Sequence, residues 1–138
     1  MTENTRSTEV RKFCALAPII PVLVVHKIAH ARPLAEALVR GGLPVLEVTL
    51  RTPIALDVIS EMAKVDGGYA GAGTLVTADD VRAAQNAGAC FGVSPGATDA
   101  LLDAAEAASL PMLPGAATAS EAMALLARGY DVLKFFPA

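Results

Sequence analysis

The sequence predicts an α/β domain in which a parallel sheet is buried beneath helices, and three observations lead to that class. Short apolar runs alternate with Ala-rich stretches of helical period along all 138 residues. Apolar residues make up 54% of the chain but aromatics only 4%, so the core is built from Ala, Val, Leu and Ile, which suits helices packed closely over a sheet. Thr at the starts and Gly at the ends punctuate the helical stretches.

In chain order, a leading helix is predicted over Thr8–Leu16 and a first strand over Ile19–Val25. The pattern then gives strands at Pro44–Leu50, Tyr69–Gly73, Cys90–Ser94, Met112–Pro114 and Val132–Phe136. Between them fall helices at Ala31–Arg40, Pro53–Lys64, Ala78–Ala87, Asp99–Ala108 and Ala119–Arg128. Each start signal satisfies backbone N–H groups that lack partners in a first helical turn. Thr52 before Pro53 reads as N-cap and first helical residue. Thr118 with Glu121 fits a capping box, and Thr77 with Asp80 a looser version. Gly41-Gly42, Gly67-Gly68, Gly88 and Gly129 mark helix ends. The whole of 1–138 reads as one domain with no linker inside it.

Composition narrows the function. A net charge of −3 with scattered Lys and Arg offers no basic field for nucleic acid or anionic lipid. The longest apolar stretch, Ala15 to Val25, contains Pro18 and Pro21 and falls short of the roughly 20 residues a membrane helix needs. The stretch Met1 to Lys12 lacks the pattern of a secretory signal, so a cytoplasmic address is expected. Cys14 and Cys90 form no C-x-x-C pair and are expected to be reduced, buried small hydrophobes.

If the units curve into a barrel, the strand ends and the loops after them form one rim, where active sites of that architecture lie. Along the second strand, Leu46, Val48 and Leu50 would face the helices, while Val45, Glu47, Thr49 and Arg51 face inward or upward. A carboxylate and a guanidinium inside an aliphatic interior are costly unless paired or used. One reading is a structural Glu47–Arg51 ion pair; the other gives the planar fork of Arg51 to a substrate carboxylate.

Lys134 raises the same question, since Leu133-Lys134-Phe135-Phe136 places one ammonium in an apolar strand. An edge-strand Lys often snorkels to water. In a parallel sheet with helices outside, its route to water is the barrel mouth. There desolvation and a neighbouring cation such as Arg51 are expected to lower its pKa toward the neutral amine that attacks carbonyls.

Other features carry less. Gly71-Ala72-Gly73-Thr74-Leu75-Val76 partly fits a dinucleotide fingerprint but has Val76 where the third Gly belongs. His26 and His30 have no third ligand at metal-site spacing and read as surface or loop residues, so neither metal nor cofactor is expected. Ser94 has no evident His partner and reads as a turn former before Pro95-Gly96.

Six segments, PIIPVLVV (Pro18–Val25), GGLPVLEVTLRTP (Gly41–Pro53), GAGTLV (Gly71–Val76), FGVSPG (Phe91–Gly96), PMLPG (Pro111–Gly115) and LKFFPA (Leu133–Ala138), carry a resemblance. In that order the chain resembles the 2-keto-3-deoxy-6-phosphogluconate (KDPG) aldolases, also called 4-hydroxy-2-oxoglutarate (KHG) aldolases. The resemblance implies a (β/α)₈ barrel of which this chain covers about the first six strands and five helices plus an N-terminal helix. It implies Lys134 as the Schiff-base amine, Glu47 as general acid/base, and Arg51 and Thr74 as the groups holding the pyruvate-derived carboxylate. Pro95 and Phe136 match positions lining the substrate pocket, although Phe136 fits a core role equally well. Further implications are a 2-keto-3-deoxy acid as substrate, pyruvate as product, chemistry without metal, and a homotrimer. A related substrate such as the galactonate acid is an alternative.

Family members continue through two more strands that supply a Gly-rich, Ser-containing phosphate site, whereas this sequence stops at Ala138. Six strands cannot close an eight-stranded barrel, and strands one and six would expose unpaired edges. An aldolase whose remainder lies outside this sequence, a non-catalytic half-barrel that self-associates, and a phosphate- or nucleotide-binding α/β protein are the three readings carried forward.

Overall fold

A computed structural model describes residues 5–138. Residues 1–4, part of the stretch read above as lacking a secretory signal, lie outside the described residues. The chain runs α1 (Thr8–Cys14), β1 (Val22–Leu23), a 3₁₀ turn (Ile28–His30), α2 (Ala31–Arg40), β2 (Val45–Thr49), α3 (Ala55–Met62), β3 (Tyr69–Gly73) and α4 (Ala78–Asn86). It continues with β4 (Gly92–Val93), α5 (Asp99–Ala107), β5 (Met112–Leu113), β6 (Gly115–Ala116), α6 (Ala119–Ala127) and β7 (Lys134–Phe135). Strands β1 to β5 are paired in sequence order, and β6 pairs with β7. All of these ladders are parallel. Apart from the direct β5–β6 step, parallel strands alternate with helices, the partial (β/α) barrel that the alternating pattern predicts.

Several boundaries are tighter than the apolar runs suggest. The first strand shrinks from Ile19–Val25 to two residues, because Pro18 and Pro21 bring no N–H; Pro21 contributes only its carbonyl, which accepts from the Glu47 N–H at 3.1 Å. The fifth predicted strand, Met112–Pro114, stops short of Pro114, which cannot donate, and a further short strand follows it. Met112–Leu113 pairs back to β4, and Gly115–Ala116, outside the predicted strand, pairs forward to β7. The lysine-bearing sixth strand is therefore β7. Thr52 does not cap α3: its hydroxyl lies 3.4 Å from the Val25 carbonyl, and the chain makes a further turn before the helix starts at Ala55. The two predicted capping boxes, Thr77/Asp80 and Thr118/Glu121, are both formed, and Thr98 caps α5 by accepting from the Leu101 N–H at 3.3 Å. Cys14 and Cys90 are free but only half-buried, against the expectation of full burial; the Cys90 thiol donates to the Ala70 carbonyl at 3.2 Å.

Two clusters follow from strand alternation. Leu46, Val48, Ala70 and Ala72 point outward into the layer beneath the helices, with Val58, Ile59, Met62, Val81 and Leu101. Val45, Phe91 and Val93 point inward, where Phe13 of α1 packs on Phe91 with ring centroids 5.3 Å apart. A Cβ at Gly71 would collide with the Phe91 ring, so this glycine makes the room that the buried Phe91 needs.

The leading segment grips the entry to β7. Ser7, fully buried at the N-cap position of α1, makes no side-chain cap; its Oγ accepts from the N–H groups of Asp131 and Val132 at 3.0 and 3.1 Å. The Arg6 N–H donates to Gly129, and Arg11 pairs with Asp131 at 2.8 Å. Ser7→Ala leaves two N–H groups without an acceptor beside a buried side chain, so urea unfolding is expected to show a loss of about 1–3 kcal/mol. An unchanged midpoint would mean that the latch contributes nothing.

Candidate active site

β2 is the most deeply placed strand, with all five residues buried. Its inward position 47 carries a carboxylate of which only 4% is exposed. β7 brings Lys134 across the interior through a ladder in which Gly115 is its register partner and Pro114 accepts from the Lys134 N–H at 2.9 Å. The two charged groups meet there, with Lys134 Nζ 3.7 Å from Glu47 Oε1. That separation makes an ion pair, too long for a hydrogen bond. Glu47 Oε1 accordingly has no hydrogen-bond donor among the described residues. The lysine side chain keeps 23% exposure, so the amine reaches the open side of the barrel while the carboxylate does not. The Phe136 ring covers Lys134 Nζ at 5.0 Å from its centroid, which gives this aromatic a contact with the amine rather than a purely core role.

The remaining predicted residues divide. Arg51 is exposed at the strand end and acts on Glu47 through its charge; the ion partner of Glu47 is Lys134, so the Glu47–Arg51 structural pair is replaced. Thr49, buried beside it, donates to the Leu23 carbonyl at 3.1 Å and ties β2 to β1. Thr74 follows β3 with φ of 61°, an uncommon conformation for a β-branched residue. Strain of this kind clusters where a side chain or amide is held for use. Pro95 lies half-buried at the start of the loop after β4, its carbonyl against Gly115. His26 and His30 are exposed, and the described residues contain no cluster of three or more His, Cys, Asp or Glu able to hold a metal.

Sequence reasoning missed two features. Ser94, read as a turn former, is fully buried with its Oγ lacking a partner. Gly115 has no Cβ because one would stand 2.6 Å from the Ser94 carbonyl oxygen, and so the Ser94-Pro95 backbone lies directly against the register partner of Lys134. The Pro-Gly pair after β5 was the available signal, but spacing alone does not say what crosses it.

Burial pushes the Glu47 carboxyl above its ordinary 4.5, with the Lys134 ammonium and the charge of Arg51 pulling the other way. A carboxyl with a raised folded value holds its proton more tightly when folded. Its contribution to stability is thus fully present below about 4.5 and is lost as pH rises through the folded value. Glu47→Gln, which does not titrate, is expected to gain stability relative to the unsubstituted protein between about pH 4 and pH 7. Urea unfolding at both pH values reads this, and a constant difference would mean that the ion pair cancels the burial.

A lysine-bearing strand opposite a buried carboxyl with raised affinity for protons, inside a partial (β/α) barrel, defines a class of barrel protein built around an amine and an acid. The chain matches the family model "KDPG and KHG aldolase" over residues 10–138. A 2-dehydro-3-deoxy-phosphogluconate aldolase of Zymomonas mobilis is 54% identical over 123 residues, covering 89% of this chain and 59% of the relative. The crystal structure of the 2-keto-3-deoxy-6-phosphogluconate aldolase of Zymomonas mobilis ZM4 with 3-phosphoglycerate superposes with a TM-score of 0.92 at 50% identity, covering 96% of this chain and 63% of that one. The KDPG aldolase of Legionella pneumophila, whose structure holds pyruvate as a covalent carbinolamine intermediate, superposes at 0.86 with 44% identity, covering 91% and 62%. The chain belongs to the KDPG and KHG aldolase family. It spans about three-fifths of the length of these relatives. Among the described residues no helix is long and apolar enough to cross a membrane.

Proposed function

We propose that this chain carries the reacting centre of a metal-independent class I aldolase that cleaves 2-keto-3-deoxy-6-phosphogluconate to pyruvate and glyceraldehyde 3-phosphate, 4-hydroxy-2-oxoglutarate to pyruvate and glyoxylate, or both. The observation that carries it is the 3.7 Å approach of Lys134 Nζ to a buried Glu47 carboxylate. The Lys134 amine adds to the C2 ketone to give a carbinolamine, which loses water to form the protonated imine. Glu47 removes the proton of the C4 hydroxyl, the C3–C4 bond breaks with its electron pair drawn into the imine, and the aldehyde departs. The protonated Glu47 returns the proton to C3 of the enamine, and water then releases pyruvate and the free amine.

Each remaining residue has a place in this scheme. Arg51 and the strained Thr74 hold the pyruvate carboxylate at the rim, while Pro95 and Phe136 line the pocket. A cytoplasmic homotrimer is the assembly proposed from the family resemblance. The test is incubation with pyruvate and borohydride followed by peptide mass spectrometry, where a reduced pyruvate adduct on Lys134 is expected. A folded sample with no adduct would sink the reading.

One observation favours a second reading. Ile19, Val22 and Val24 in and around β1, and Met123 and Leu126 of α6 with Phe135 of β7, are each more than 40% exposed. Such apolar edges suit a half-barrel that self-associates. Light scattering that gives a multimer together with no pyruvate adduct would favour it.

A further inference from the structure

We infer that Gly73, the last residue of β3, is a positioning residue: its missing side chain is the slot in which the Glu47 carboxylate stands to face Lys134. β3 lies beside β2 in a five-residue parallel register that sets Thr49 against Gly73, and Gly73 shares the inner face with Gly71. A Cβ at Gly73 would overlap Glu47 Oε1 and stand 2.8 and 2.9 Å from Glu47 Cγ and Cδ. The three atoms nearest to that missing methyl all belong to the one carboxylate side chain. Gly73 is not among the glycines with positive φ, so an alanine suits its backbone and space alone is at issue.

The kind of atom met decides what a methyl would do. At Gly115 the obstruction is the backbone of Ser94 and Pro95, and at Gly71 it is the locked ring of Phe91. At Gly73 it is the movable end of a side chain, so the fold survives and the carboxylate is displaced. Glu47 Oε1 has no hydrogen-bond donor among the described residues holding it in place, and its ion-pair partner is Lys134 at 3.7 Å. The strand-end glycine therefore sets the distance between acid/base and amine, and its loss affects the proton transfers at C4 hydroxyl and C3 rather than the amine itself.

The inference rests on the aldolase reading, and the experiment separates the two. Wild-type protein, Gly73→Ala, Glu47→Ala and Glu47→Ala/Gly73→Ala are compared for exchange of pyruvate methyl protons in D₂O and for borohydride adduct on Lys134. Gly73→Ala is expected to lose about 10²-fold in exchange while still forming the adduct, the lower end of what general acid–base catalysis supplies. In the Glu47→Ala background the same substitution is expected to change exchange by less than about twofold, because nothing is left to displace. Equal losses in both backgrounds would make Gly73 merely structural and overturn the inference. Should Gly73→Ala not fold, the double variant must fold, since removing the carboxylate removes the clash; failure of both also overturns it. A wild-type protein without adduct overturns the aldolase reading and this role with it, whereas a wild-type adduct with full exchange in Gly73→Ala overturns the role alone.

Discussion

Lys134→Arg is expected to abolish the borohydride-trapped pyruvate adduct. The guanidinium keeps the positive charge that faces Glu47 but stays protonated at any working pH, so no amine lone pair is left to attack the C2 ketone. The other lysines, Lys12, Lys27 and Lys64, are all exposed, and two of them are occupied by Glu9 and Glu61. None faces the barrel interior to take over. Peptide mapping after reduction is the measurement, and an adduct that persists in Lys134→Arg, or moves to another lysine with turnover intact, would remove Lys134 from the centre.

Glu47→Gln has the second large effect. The amide keeps the volume of the side chain in its slot but neither accepts the C4 hydroxyl proton nor returns one to the enamine. Turnover is expected to fall by about 10²–10⁴-fold, the usual contribution of a positioned acid/base. Adduct formation is expected to survive on prolonged incubation, because the amine is untouched. Steady-state kinetics beside trapping give the split. A variant that loses adduct and turnover in equal proportion would point to Glu47 as a group that maintains Lys134 rather than one that moves protons.

The legible parts of the molecule were those in which a residue declares its own problem. Thr77 with Asp80 and Thr118 with Glu121 announce helix starts because the pattern satisfies local donors, and both boxes form. Glu47 and Lys134 stand out because charge is costly inside apolar strands, and the fold brings them together. Parallel strands were overdrawn because an apolar run reports burial and not pairing; Ile19 to Val25 is one such run, yet only Val22 and Leu23 join the ladder. Thr52-Pro53 looked like a cap and first turn, but the wider turn ahead of α3 depends on where β2 delivers the chain. The slot at Gly73 and the buried hydroxyl of Ser94 were invisible for the same reason, since both depend on what a neighbouring strand places opposite them.

The break at Pro114 also distributes rigidity unevenly. Glu47 belongs to a strand held over five paired residues by β3 and anchored by β1, whereas Lys134 hangs on two residues of β6 beyond a proline that donates nothing. Opening of the amine-bearing ribbon is therefore expected to take less free energy than opening of the strand beneath the acid, and native-state hydrogen exchange is expected to show lower protection for Lys134 and Phe135 than for Val45–Thr49. Glu47 is the more firmly held member of the pair. On the proposed chemistry the amine of Lys134 is then the more displaceable member, and the Ser7 latch on Asp131 and Val132 ties down the chain just before it.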